Sequence, residues 1–291
     1  MKQGKEIEHP ESRFFTVLLA AAKLPGVRIH RESYLRSALA RHCSEDEIRR
    51  AIAETPAAAG ITVELLDKVA KDSIRYETAK VSALSAAAGL PGILALPATV
   101  PADLAQYVGH MLRISQKLAY LYSWPDLFSD EGDDVDDATI GVLTLFFGVM
   151  FGTQSANVAV GKVAGMMSKQ VAKKLPQKAL TKGVIYPLVK KSATYLGVQM
   201  TKQSFAKGVS KAIPIVGAVV SGGLTFATYL PMAKRLKKHL SGLPLADPSH
   251  RAMDGEVVDG EVVEEYETFA SEDAERHSAD TTAVKLEEPR A

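Results

Sequence analysis

The polar residues best spaced for chemistry run along one segment, roughly 101–122. Asp103, Gln106, His110, Arg113 and Lys117 follow one another at steps of three, four, three and four, the spacing that lines side chains along one side of an α-helix. Leu104, Val108, Met111, Leu112 and Leu118 fill the remaining turn. Two chemistries suit such a stripe: proton transfer between Asp103 and His110, or capture of an anion by His110 and Arg113. The first meets an obstacle, because Asp103 and His110 stand two turns apart, about 10 Å along the axis. The plainer expectation is a solvent-facing polar side of an amphipathic helix, with anion binding at His110 and Arg113 as the functional alternative.

Other constellations fall short of a site. There is no GxSxG elbow, HExxH pair or CxxC pair, and Gly161-Lys162 is followed by Val163 instead of the Ser or Thr of a phosphate loop. The seven histidines are scattered without metal-ligand spacing. Seven carboxylates crowd DLFSDEGDDVDD, residues 126–137, but their order misses the calcium-loop pattern. A solvated acidic loop is expected, with a weak divalent-cation site as the alternative and Asp136 and Asp137 well suited to open the next helix against its dipole. The sequence implies no metal and no cofactor, and an enzymatic role has no motif behind it.

The most interpretable functional signal is cationic. Residues 138–246 carry 15 Lys and Arg and no Asp or Glu. Lys169, Lys173, Lys174, Lys178 and Lys182 form one cluster, Lys190 and Lys191 follow, then Lys202, Lys207 and Lys211, and Lys234, Arg235, Lys237 and Lys238 close the block. All but one of these cations are lysine, which suits diffuse attraction to an anionic surface better than bidentate recognition. Lysines beside apolar segments are what interfacial binding to anionic lipid requires. Nucleic acid is disfavoured, since the interleaved aromatics and arginine forks of a base-reading face are missing. A protein partner, or the chain's own acidic tail, is the competing anion.

The elements that carry these residues read as helices throughout. Phe14, Leu18 and Leu19 mark a first helix ending near Leu24-Pro25-Gly26, Ser44 with Glu47 has capping-box spacing, and Thr62 is placed to cap a long helix through Leu65, Leu66, Val69 and Ile74. No stretch alternates as a half-buried strand would. Three segments lack charge altogether: 22 residues between Lys80 and Asp103, 24 between Asp137 and Lys162, and 22 between Lys211 and Lys234. Each approaches bilayer-spanning length, yet each is flawed as a span. Pro91, Pro97 and Pro101 interrupt the first, polar residues after Gly152 interrupt the second, and Gly217, Gly222 and Gly223 would let the third turn back as a hairpin. A third crossing would also put residues 234–238 on the wrong side for the positive-inside bias. Buried helices of a bundle, a re-entrant or monotopic insertion, and true spans all stay open.

The whole chain has 291 residues, 46% hydrophobic and 24% charged, ordinary for a globular protein with a substantial core. Its net charge of +1 is a cancellation: residues 1–137 sum to −4, 138–246 to +15 and 247–291 to −10. The acidic last stretch, with DGEVV twice in tandem at 254–263, reads as a disordered tail. A single cysteine, Cys43, excludes an internal disulfide, and the start lacks the apolar run of a secretory signal, so a cytoplasmic location is expected.

Residues 86–126, AAAGLPGILALPATVPADLAQYVGHMLRISQKLAYLYSWPD, resemble the central signature of the EcsC family: a glycine-rich entry, a Pro-Ala-Asp helix start, an Arg within that helix and a closing Tyr-x-x-x-Asp. Residues 211–240, with Pro-Ile-Val-Gly and a terminal basic helix, are similar to its second signature. The chain departs from the pattern at Ser123, where a Gly usually precedes the acidic position, and in its long acidic loop. The resemblance spans about residues 60–240 and implies a bacterial helical protein tied to membrane processes, with no catalytic residues to carry over. Together these readings predict an all-α protein: an N-terminal helical region over 1–82, a Gly/Ala-rich helical core with the basic block over 83–245, and the acidic tail over 246–291. The expected role is non-enzymatic, at the inner face of the cell membrane, through an anionic membrane surface or a membrane protein. The alternative is a soluble scaffold whose tail recruits a partner or masks the basic face.

Overall fold

The computed structural model describes residues 10–88, 102–128, 135–169, 174–210 and 216–249, with side chains except at 84–88, 102–103, 169, 200–210 and 216–225. The described residues hold ten α-helices, a short 3-10 turn at Pro244–Ala246 and no strand. The chain is all-α. The acidic tail, the proline-rich stretch 89–101 and residues 129–134 of the acidic loop lie outside the described residues.

Local chemistry sets the early helices. α1 (Pro10–Ala22) buries Phe14 and Leu18, and α2 (Arg31–Leu39) buries Leu35 and Leu39. α3 (Glu45–Ala53) opens on a full capping box: Ser44 accepts from the Glu47 amide while the Glu47 carboxylate accepts from the Ser44 amide. Its far end is closed by Arg31, which donates to the carbonyls of Ala51, Ile52 and Glu54 at 2.8–3.1 Å, satisfying acceptors the helix leaves open. α4 (Val63–Ala88) starts at Thr62, whose hydroxyl accepts from the Leu65 amide.

Two helices form the middle of the fold. α5 (Ala102–Leu121) packs against α1, α2, α4 and an apolar α6 (Asp137–Met150). α6 starts on Asp136, whose carboxylate accepts from the Ala138 and Thr139 amides at 3.0 Å, and it is buried along almost its whole length. It ends in a Schellman turn: Thr153 N–H bonds to Gly148 C=O, Gly152 N–H to Val149 C=O, and Gly152 takes φ +81°. Arg235 adds a donor to the Met150 carbonyl there. α7 (Gln154–Lys169), α8 (Gln177–Thr181), α9 (Tyr186–Ser210) and α10 (Val216–Ser241) enclose α6, and α10 runs back along α4.

This arrangement decides between the readings of the uncharged segments where it reaches them. Residues 138–150 are core helix, with Trp124 meeting Phe146 edge-on at 4.8 Å between ring centroids. The hairpin that Gly217, Gly222 and Gly223 would permit does not form. α10 is one helix of 26 residues that continues through all three glycines and through Pro231. Glycine weakens a helix without breaking it, and packing along α4 supplies the continuity. Among the described residues no helix is long and apolar enough to cross a membrane.

Candidate functional site

The polar stripe of α5 does not face solvent. His110 and Lys117 are buried, Arg113 is mostly covered and only Gln106 stands exposed. The expected amphipathic face is therefore corrected: α5 is the central helix, enclosed by α1, α2, α4, α6 and α10, and its cations point into a polar seam between helices. Asp103 lies in the first turn of α5, and its side chain is outside the described set. His110 and Arg113 converge instead on a residue that the sequence reading did not single out, Glu77 of α4.

Glu77 is completely buried. Its Oε1 accepts from Lys117 Nζ at 2.7 Å and from Arg113 Nε at 3.1 Å, and its Oε2 lies 3.1 Å from His110 Nδ1. Burial alone would favour the protonated acid, but hydrogen bonds from His110, Arg113 and Lys117, with the Lys117 charge, hold the carboxyl well below the usual carboxylate range. Arg113 also donates to the Gly26 carbonyl. Gln116 ties the same loop, donating to the Val27 carbonyl and accepting from the Ile29 amide. On the third side Tyr229 of α10 donates to the His110 carbonyl at 2.9 Å. Lys117 sits 5.2 Å and 5.6 Å from the ring centroids of Tyr76 and Tyr34, whose negative faces offset its charge.

A second polar tie lies farther along the same three helices. Asp67 of α4 accepts from Tyr122, which follows α5, at 2.6 Å and from Lys237 of α10. Such geometry clamps helices together. The seam joins charges that already satisfy one another, and it places no nucleophile beside a base. Among the described residues no group of three His, Cys, Asp or Glu is placed to hold a metal ion.

One signal for Glu77 is present in the sequence. Leu66, Ala70, Ile74, Glu77 and Val81 keep the three-and-four spacing of the buried stripe of α4, so Glu77 takes a core position. A carboxylate there needs cations opposite, and α5 offers Arg113 and Lys117, with the His110 ring beside them.

The basic block divides into cations that stand exposed and cations that bind other parts of the fold. Lys174, Lys178, Lys182, Lys190, Lys191, Lys234 and Lys238 are exposed. Arg235 is bound to the end of α6 and Lys237 to Asp67, so both serve the fold. Lys173 is outside the described residues, and Lys169 closes α7 with its side chain undescribed. Comparison with protein-family models, with curated proteins and with solved structures returns no match to this chain.

Around the exposed lysines the surface is unusual. Val184, Tyr186, Tyr195 and Val198 are exposed on the same stretch of chain, and Lys190 lies 5.6 Å from the centroid of the Tyr186 ring.

Proposed function

We propose that this protein is a membrane-associated accessory protein that acts by binding, peripheral to the inner face of the cell membrane, through its lysine-rich helical core. One observation carries the reading: lysines of the acid-free block 138–246 stand exposed beside exposed tyrosines and valines on α9 and the turn before it. Coulomb attraction to anionic headgroups and burial of small apolar groups add at such a surface. The preference for lysine over arginine favours a diffuse anionic surface over a base-reading face. The resemblance of residues 86–126 and 211–240 to the EcsC family points the same way. Its departure at Ser123 fits as well, because Ser123 adopts φ +69°, a conformation glycine takes at no steric cost.

The test is co-sedimentation of the intact chain with vesicles of phosphatidylcholine, with and without phosphatidylglycerol, over a salt series. Binding should need the anionic lipid and fall as salt rises. In cells, the membrane-bound fraction should be released by salt or carbonate washes. A chain that stays in the supernatant at low salt with anionic vesicles, and in the soluble fraction without washing, would overturn the proposal in favour of a soluble scaffold.

A further inference from the structure

We infer that the outward face of the first half of α9, with the turn before it, is the part of the protein that seats on an anionic bilayer. The inference rests on the proposed membrane association and names where that association occurs.

Exposure along α9 follows a regular pattern. Val189, Ser192, Ala193 and Leu196 turn inward, while Tyr186, Lys190, Lys191, Tyr195 and Val198 turn outward. The usual size order is inverted. The inward face is built partly of small residues that let α9 approach α1 and α6 closely, and the outward face carries two aromatic rings and a β-branched side chain. Among the described residues six large hydrophobic side chains stand exposed, and four of them, Val184 included, fall within 184–198. That concentration separates this face from the scattered apolar exposure of an ordinary surface.

The chemistry of the face selects its occupant. Tyrosine places a ring at headgroup depth and a hydroxyl towards water, and lysine lays its stem on apolar surface while the ammonium stays wet. Lys191 and Tyr195 are four residues apart, so they share one line along the helix. Glu11 of α1 sets one carboxylate within this face, 3.4 Å from the hydroxyl of the exposed Thr194, while the outward residues of α9 themselves include none and set two lysines against it. A protein partner would leave the same lysines to find matched carboxylates one by one. An anionic bilayer supplies headgroup charge continuously and an apolar layer beneath it, so it satisfies the lysines and the tyrosines together.

Three variants test this with the vesicles described above. K190E/K191E should lower partition at least about tenfold, since each lysine near the surface contributes on the order of 1 kcal/mol. K23E/K68E changes net charge equally, at two exposed lysines outside the block, and should lower partition several-fold less than K190E/K191E does, since it alters the summed charge and no contact of the face. Tyr195→Trp should show a blue-shifted emission on anionic vesicles and be quenched by acyl-brominated lipid, against the fully buried Trp124. If the unaltered chain binds but both double variants lose binding alike, or the emission of the Tyr195→Trp variant does not move, α9 is not the seat and the broader membrane proposal survives. If the unaltered chain itself fails to bind, both fall together.

Discussion

Glu77 shows how far one buried carboxylate can organise its neighbours. Three groups from one helix converge on it, so removing its charge strands Arg113 and Lys117 in a dry seam. Glu77→Gln should destabilise the fold by about 3 kcal/mol or more, read by denaturant unfolding, whereas Lys117→Met should cost less because Arg113 and His110 still serve the carboxylate. The pH dependence has a defined sign. The folded carboxyl is depressed below the usual value of 4.5, so its contribution is complete above that pH and is lost as pH falls through the lower, folded value. The stability difference between the natural chain and Glu77→Gln should therefore stay constant above about pH 4.5 and shrink on further acidification; a difference unchanged by acid would mean Glu77 is not ionised in the fold. Ser123 gives a second residue-scale test. Its left-handed backbone is strained for a side chain, but its hydroxyl accepts from the buried Ala57 amide at 3.1 Å. Ser123→Ala keeps the strain and loses the bond, while Ser123→Gly loses the bond and relieves the strain, so Ala should be the less stable by about 1 kcal/mol in thermal unfolding. Capping residues such as Ser44, Thr62 and Asp136 were legible in the sequence because a cap is decided within a few residues. Glu77 was obscured because its partners lie more than thirty positions away.

Helices rather than residues explain where the sequence reading changed. α5 carries a polar stripe at helical spacing, and such a stripe ordinarily marks a wet face. Here it faces α4 and the loop after α1, since Glu77, Gly26 and Val27 provide charge and acceptors for it. Periodicity reveals that a face exists, and only the neighbouring helix determines whether that face is dry. α10 teaches the converse: its glycines would permit a hairpin, yet α4 lies along it and the helix persists through them and through Pro231. α6 is flawed as a membrane span and belongs to the protein core, where its C-terminal turn is tightly packed. A Cβ added at Gly148 would lie 2.9 Å from Thr153 Oγ1 and 2.5 Å from the Ala156 Cβ, which is backbone-fixed. Gly148→Ala should thus push α7 away from α6 and lower stability by about 1–3 kcal/mol, measured as a fall in thermal midpoint. An unchanged midpoint would show that the α6–α7 turn yields freely.

On the scale of the whole chain, charge is sorted in a way that folding alone does not require. The acid-free block supplies structural donors at Arg235 and Lys237 and leaves lysines of α8, α9 and α10 in solvent. That sorting was legible in the sequence, whereas the partition between bound and exposed cations needed the fold. Residues 253–291 carry a net −10, and their removal takes the chain from +1 to +11. The truncation leaves the turn Pro244–Ala246, with its buried Ala246, in place, so the helical unit should unfold with the same midpoint. Attraction to an anionic surface depends on the summed charge as well as on contacts. The truncated chain should accordingly bind phosphatidylglycerol vesicles more tightly at low salt and remain bound to a higher salt concentration, the two chains converging as the screening length falls. Equal binding at low salt would mean that the acidic residues do not reach the field of the basic block, and specificity would then have to reside wholly in the helical unit. Tighter binding would make the −10 segment a standing brake on membrane affinity, set by charge alone.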